Sequence, residues 1–180
     1  MRFDKTESPD GHPALYAASL NIKKDLRGSA MGEAVLKNTV DHEAADHVIY
    51  ADVFPELLAG TKYVEDFGCV IVGAAEFPSD EEGHTETRLL LRRDDTTSGK
   101  YLTRGVEDIK EKTPEGVSLM PFDLSSGTSE MVKVVREMEA RGKVGTRYFS
   151  DPADKKIRYI AFEDEVELPS IKPASEALAS

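Results

Sequence analysis

A short loop rich in small residues lies where an apolar segment gives way to a helical pattern. The loop covers residues 27–32 and reads Arg-Gly-Ser-Ala-Met-Gly. Small residues at a strand-to-helix join leave the backbone N–H groups of the first helical turn open to an anion. Gly28 and Gly32 allow close approach because they lack a Cβ, and the helix dipole attracts negative charge. This pattern suits a phosphate or pyrophosphate, and a tight turn without a ligand is the alternative.

The elements that must position this loop follow from the spacing of apolar residues. The predicted elements of the first half are strand 15–22, helix 33–45, strand 48–53, helix 55–66, strand 69–74 and strand 86–91. Pro55 suits the first turn of its helix, and Gly68 suits the end. The order βαβαββ predicts an α/β (α+β) fold in which strands 15–22 and 48–53 run parallel and splay apart.

The second half begins after a polar break at residues 94–100. Its predicted elements are strand 117–120, helix 130–140 and the hairpin strands 146–149 and 157–162. The helix has one apolar face, because Met131, Val134, Val135 and Met138 recur at helical spacing.

From Glu163 the chain is acidic and then rich in Pro, Ser and Ala, which predicts a disordered tail. We therefore divide the chain into residues 1–95, residues 96–165, which complete the sheet or form a small second module, and a tail at 166–180.

The loop and its flanks resemble a known family. Leu20-x-Ile22, then Arg27-x-x-Ala30-x-Gly32 and a helix, resemble the acetyl-CoA signature of the GNAT superfamily, in which Arg or Gln precedes Gly-x-Gly/Ala by two residues. Ala30 replaces the first motif glycine. The resemblance covers residues 13–93 and implies a GNAT-like mixed, mostly antiparallel sheet with flanking helices.

The resemblance also implies an activity, the transfer of an acetyl group from acetyl-CoA to an amine, and assigns residues to it. Leu20, Asn21 and Ile22 would offer main-chain groups to pantetheine and to the acyl carbonyl. The pyrophosphate would be held by the backbone of Arg27, Gly28, Ser29, Ala30, Met31 and Gly32. The amine acceptor, a small molecule or a protein, is not specified.

Such a transfer needs a base for the ammonium and an acid for the leaving thiolate. The resemblance places Tyr63 as the acid, and a tyrosine packed against the sheet is the alternative. Tyr50 is a second candidate. Glu76 and His12 are candidate bases, each with a solvated loop residue as the alternative. Cys69 is expected to be a small buried hydrophobe rather than a nucleophile.

The usual family order places three strands and a helix pair before the first strand seen here. A circular permutation would let residues 117–162 supply them, because rearranged chain ends are tolerated. Strand 157–162 would then lie beside strand 15–22, and both halves would share one core. Alternatively, a second copy or a partner chain covers the sheet.

Two further classes stay open. Residues 131–142 followed by 147–156 resemble the last helix and basic wing of some bacterial transcription regulators, in which Lys155, Lys156 and Arg158 would face phosphate. A GNAT-like fold without activity could instead serve as a binding or assembly module.

Charge and composition narrow the partners. A net charge of −11 disfavours a chain-wide nucleic acid interface. The apolar runs are far shorter than the ~20 residues of a membrane span, and the N-terminus lacks the apolar stretch of a secretory signal. We therefore expect a cytoplasmic protein without a membrane partner. A single cysteine and the absence of Cys/His spacing predict no metal.

Overall fold

The computed structural model describes residues 2–7, 13–19, 30–44, 47–58, 63–79 and 83–168. The strands are β1 Arg2–Glu7, β2 Pro13–Ser19, β3 Val48–Val53, β4 Val70–Pro78, β5 Thr85–Arg93, β6 Ser118–Asp123, β7 Lys143–Ser150 and β8 Ile157–Asp164. The helices are α1 Ala30–Ala44, the short α2 Asp95–Ser98 and α3 Ser129–Glu139. Single 3-10 turns lie at Pro55–Leu57 and Leu124–Ser126.

All eight strands belong to one open sheet with the order β1-β2-β3-β5-β4-β7-β8-β6. Strands β2 and β3 are parallel, and the other neighbours are antiparallel. The prediction of a mixed, mostly antiparallel sheet is confirmed, and so is the parallel pair. Helix α1 lies between β2 and β3 in the chain, as a parallel connection requires.

Helix α3 covers the face of the sheet that carries Ile71, Leu89 and Leu91. Four of its side chains are buried, namely Met131, Val132, Val135 and Met138. The predicted face was therefore slightly misplaced, because Val132 is buried and Val134 only half-buried. Residues from both halves of the chain share this core.

The predicted position of strand 157–162 beside strand 15–22 is wrong. Strand β8 lies between β7 and β6, and β7 joins the first half through β4, where Ile71 pairs with Gly145. The second half therefore extends the sheet at its β4 edge, with β3, β5, β4 and β7 separating β8 from β2.

Strand β1, which the sequence pattern did not reveal, covers the outer edge of β2. Its consecutive residues Asp4, Lys5 and Thr6 are all exposed, so it lacks the alternation of apolar and polar residues that marks a half-buried strand. At the other end of the sheet, the edge strand β6 contains Pro121 opposite Tyr159.

The expectation that disorder begins at Glu163 is also wrong. Glu163 belongs to β8 and is only 3% exposed. Its carboxylate accepts hydrogen bonds from the backbone N–H groups of Leu102 and Thr103 and from the Thr146 hydroxyl. A buried carboxylate needs such donors, and they come from segments that are distant in sequence.

Side chains reinforce the contact between β4 and β7. Arg104 donates to the carbonyl oxygens of Val64, Gly68 and Cys69 at 3.0, 3.2 and 2.8 Å. Arg147 on β7 pairs with Glu65 at 2.9 Å. These bonds fix the loop before β4 against the second half.

The predicted helix 55–66 is described only in part. It begins with the 3-10 turn at Pro55–Leu57, and residues 63–66 form turns, whereas residues 59–62 lie outside the described residues. The polar break at 94–100 contains α2, and the Asp94 carboxylate caps it by accepting from the Thr96 N–H.

Candidate functional site

The parallel strands β2 and β3 pair over three positions and then stop. The last pair joins Tyr16 to Tyr50, and both strands continue for three more residues, 17–19 and 51–53. On its other side, β3 stays paired with β5 through Val53. We call the unpaired stretch between the carboxyl ends of β2 and β3 the opening.

A polar cluster lies at the vertex of this opening. The Tyr16 hydroxyl donates to Asp52 Oδ2, so the bond links β2 to β3. Arg88 on β5 donates from Nη1 to Asp52 Oδ1 at 2.8 Å. The Asp52 side chain is only 12% exposed, and both of its oxygens are engaged, as a nearly buried carboxylate requires.

Arg88 is itself fixed by two aromatic rings. Its guanidinium carbon lies 4.8 Å from the ring centroid of Phe54 and 5.1 Å from that of Phe77. Arg88 Nη2 also bonds to Glu86 at 3.3 Å. The stacked guanidinium is thereby pre-organised, and it holds Asp52 in one position beside the opening.

Asp52, Tyr16 and Arg88 were not singled out from the sequence, although one pattern could have found Asp52. It is the charged residue of an otherwise uncharged run, residues 48–53. A charge within an apolar strand requires a partner or marks a site. Tyr16 and Arg88 could not be found in this way, because their roles depend on strand order.

Three of the predicted cofactor residues are described by the structure. Ala30, Met31 and Gly32 form the first turn of α1. The remaining predicted cofactor residues lie outside the described part of the chain, and these are Leu20, Asn21, Ile22, Arg27, Gly28 and Ser29. Strand β2 ends at Ser19 and α1 begins at Ala30, so the loop connects the opening to the helix N-terminus.

Tyr63 is half-buried, next to Phe67, with ring centroids 5.9 Å apart. Burial raises the pKa of its phenol above the ordinary value, and the nearby Asp52 carboxylate acts in the same direction. A phenol keeps its proton at neutral pH even without this shift, so the raised pKa adds nothing to the case for Tyr63 as a general acid.

Glu76 lies on the exposed part of β4 and is ion-paired. Arg136 on α3 donates to its Oε1, and so does the Thr87 hydroxyl at 2.9 Å. The bond from Arg136 lowers the pKa of the Glu76 carboxyl, which makes the carboxylate a weaker base. The structure does not bring Glu76 to Tyr63: their backbones lie near opposite ends of β4, since Tyr63 O accepts from Cys69 N at the start of the strand.

The other candidates have different surroundings. Tyr50 lies at the vertex of the opening, whereas His12 lies outside the described residues. Cys69 is buried, and burial raises its thiol pKa to about 12. Such a thiol has almost no thiolate at neutral pH, which fits the expectation that it packs as a hydrophobe.

A groove begins at Tyr50 on β3 and runs past β5 and β4 to the C-terminal end of α3. Its volume is about 840 Å³, and it is lined by Tyr50, Val72, Leu90, Glu139, Gly142 and residues 165–168. We call it the Tyr50 groove. A second groove of about 790 Å³ separates α3 from Phe54 and the start of β5.

The hairpin that resembles a basic wing is part of the sheet. Strand β8 is paired with β7 on one side and β6 on the other. Its turn is held by Asp151, which accepts from Lys110 and the Tyr159 hydroxyl. An interior strand cannot project as a free wing into a DNA groove, so this arrangement gives the regulator hypothesis no support.

Within the described ranges, no group of three or more His, Cys, Asp or Glu side chains is positioned to hold a metal ion. None of the described helices has both the length and the apolarity to cross a membrane. In comparisons with known proteins, no family model and no curated sequence matches the chain.

Proposed function

We propose that the protein is a GNAT-type N-acyltransferase that moves an acetyl or other acyl group from acyl-CoA to an amine. The observation that carries this proposal is the opening between β2 and β3, two parallel strands whose pairing ends at Tyr16 and Tyr50. The sequence resemblance of residues 13–93 supports it independently.

The opening suits an extended ligand with amide groups. Past the vertex, no ladder joins residues 17–19 to residues 51–53 in the described structure. Main-chain groups that face this gap can therefore bond to a pantetheine chain, and one N–H can polarise the acyl carbonyl. The α1 N-terminus then supplies the anion site for the pyrophosphate.

The transfer requires the amine and the thioester to be held together. A base takes one proton from the ammonium, and the amine nitrogen attacks the acyl carbonyl. The C–S bond breaks, the thiolate takes a proton from the acid, and the second proton that the nitrogen loses replaces it on the acid. Tyr63, the acid that the sequence resemblance implies, would supply that proton. The assignment of Glu76 as the base has less support than that of Tyr63 as the acid. Arg136 stabilises the charged form of Glu76 and so makes it a weaker base.

Acetyl-CoA binding tests the proposal. A ligand that binds only the native state stabilises it by RT ln(1 + [L]/Kd), about 2.7 kcal/mol at a hundredfold excess over Kd. We expect acetyl-CoA to raise the melting temperature of the parent protein. It should not raise that of Gly28→Asp, because the substitution places a negative side chain in the proposed anion site.

The matched control is Gly99→Asp. Gly99 has φ −75° and open space around the position of a Cβ, so the same substitution should leave the shift intact. A flat titration of the parent protein up to millimolar acetyl-CoA would contradict the cofactor assignment. Unchanged binding by Gly28→Asp would place the site elsewhere.

A second candidate function is a GNAT-like binding module that holds acyl-CoA without transferring the acyl group. The ion pair between Glu76 and Arg136 favours this second function. It stabilises the charged form of Glu76, which makes the predicted base weaker. Release of free CoA thiol with a panel of amines separates the two. Binding without release supports the module, and amine-dependent release supports the enzyme.

A further inference from the structure

The Tyr50 groove contains a carboxylate in an unusual position. Glu139 is the last residue of α3, where a negative charge opposes the helix dipole. In the described part of the chain, its carboxylate has neither a hydrogen-bond donor nor an ion-pair partner. The Glu139 side chain is exposed, so its charge is accessible to a ligand in the groove.

The sheet backbone makes room for that carboxylate. A Cβ built on Gly73 would lie 2.5 Å from Glu139 Cδ, closer than any Cβ contact allows. Gly73 adjoins an irregularity in β4, since the register shifts between Ile71 and Gly73. Bulges of this kind redirect side chains and are frequent beside active sites. A glycine at this bulge therefore lets Glu139 lie directly over the sheet.

Strand register aligns this carboxylate with the opening. Asp52 pairs with Leu90, and Leu90 pairs with Gly73, so the three residues form one row across β3, β5 and β4. Two strand spacings of ~4.8 Å place Gly73 about 10 Å from Asp52. Glu139 thus lies across Leu90 from the vertex of the opening, within the length of a small substrate.

The groove lining has one sign of charge and an apolar floor. Its charged residues among those described are Glu139, Glu165 and Glu167, and its floor is formed by Tyr50, Val72 and Leu90. Glu165 is already paired with the buried Arg92. This combination complements a cation attached to a hydrocarbon body.

We propose that the Tyr50 groove is the acceptor site and that it binds a primary ammonium with an apolar body, the ammonium lying against Glu139. The proposal deepens the acyltransferase function and rests on it for the fate of the bound amine. Binding itself requires no acyl-CoA, so the two can be tested separately.

The test uses isothermal titration of the full-length protein with n-butylamine, n-hexylamine and n-hexanol. Hexylamine should bind more tightly than butylamine, by about fourfold per added CH₂ if the chain is fully buried. Hexanol should bind at least tenfold more weakly than hexylamine, because it lacks the charge. Equal binding of hexanol and hexylamine would overturn the proposal.

Two variants address Glu139. Glu139→Gln keeps the shape and removes the charge, and it should weaken hexylamine binding about tenfold. Gly73→Ala keeps the charge but displaces the carboxylate, and it should weaken binding similarly. The matched control is Glu137→Gln on the same helix, which borders the second groove and should bind as the parent does. Unchanged affinity in Glu139→Gln would overturn the assignment.

A parallel titration with acetyl-CoA separates the two proposals. Hexylamine binding without acetyl-CoA binding would retain the amine site and reject the acyltransferase function. Acetyl-CoA binding without hexylamine binding would reject the amine site and leave the acyltransferase function standing.

Discussion

The sheet has two junctions at which neighbouring strands pair over very few residues, β2–β3 and β4–β7. The first has three residue pairs and the second has one, Ile71 with Gly145. By ladder length alone, β4–β7 is the weaker contact. It is nevertheless reinforced by side chains, with Arg104 bonded to three carbonyl oxygens and Glu65 paired with Arg147.

Among the side chains that the structure describes, the β2–β3 junction has no such reinforcement beyond its vertex. Tyr16 and Asp52 join the strands there, but Ala17, Ala51 and Val53 follow, and their side chains contain no hydrogen-bonding atom. A short ladder therefore has different consequences at the two junctions. At β4–β7 side chains replace the missing ladder bonds, whereas at β2–β3 the strand edges stay unpaired, which is why we propose a ligand there.

The largest expected effect comes from removing one side of the β4–β7 junction. A fragment of residues 1–96 loses α3, whose four buried side chains contribute roughly 6–12 kcal/mol at ~1.5–3 each. We expect an aggregated or molten fragment, seen as loss of a cooperative thermal transition by circular dichroism. A fragment that melts cooperatively would show that the first half does not need this junction.

A single substitution tests the side-chain reinforcement. Arg104→Met keeps the apolar stem but leaves the carbonyl oxygens of Val64, Gly68 and Cys69 without their donor. We expect a loss of about 2–3 kcal/mol in the free energy of unfolding, measured by urea denaturation. Acetyl-CoA affinity of the folded protein should not change, and a large loss of affinity would mean that the junctions are coupled.

The opposite pattern is expected at the opening. Tyr16→Phe removes the bond to Asp52 with little change in shape, so stability should fall by only about 0.5–1.5 kcal/mol. Acetyl-CoA affinity should change more than in Arg104→Met, because the vertex positions the strands that face the ligand. Equal affinities of Tyr16→Phe and the parent protein would separate the vertex from binding.

The smallest effect concerns the pH dependence of the β4–α3 contact. Hydrogen bonding by Arg136 lowers the folded-state pKa of Glu76 below its ordinary value. The contribution of this group to stability is therefore complete above the unfolded-state pKa and is lost as pH falls through the lower folded-state pKa.

Urea denaturation from pH 6 to pH 3 measures this dependence. Glu76→Gln should flatten the acid limb of the stability curve slightly, since the exposed pair is screened by solvent. Glu115→Gln, in an exposed turn, is the matched control. An acid limb as steep in Glu76→Gln as in the parent protein would show that the pair is not linked to folding.

The parallel pair was predictable because a helix of crossover length between two apolar runs allows few other arrangements. The position of β8 was not, because hairpin residues 143–164 carry no local feature that selects β4 over β2 as their neighbour. Glu163 was misjudged for a similar reason. Its partners Leu102, Thr103 and Thr146 come together only through the tertiary fold.

The candidate site also has a part that the sequence predicted and a part that it did not. The order strand, helix, strand predicted the parallel pair beside the opening, whereas the loop at 27–32 lies partly outside the described residues. The sequence could not locate Asp52 with Arg88, or Glu139 over Gly73, because those contacts join residues 36 to 66 positions apart along the chain. Local sequence patterns predict helices and strands. Contacts between side chains on different strands depend on the order of the strands in the sheet, which those patterns do not give.

An open sheet can lengthen by adding strands, and its two ends differ in how well they permit this. At the β6 end, Pro121 has no N–H to offer an incoming strand. At the β1 end, the backbone contains no proline from Arg2 to Glu7. Two molecules that joined through β1 would expose a proline-containing strand at each outer edge. Association by strand addition would therefore stop at a two-fold pair rather than continue into a fibre.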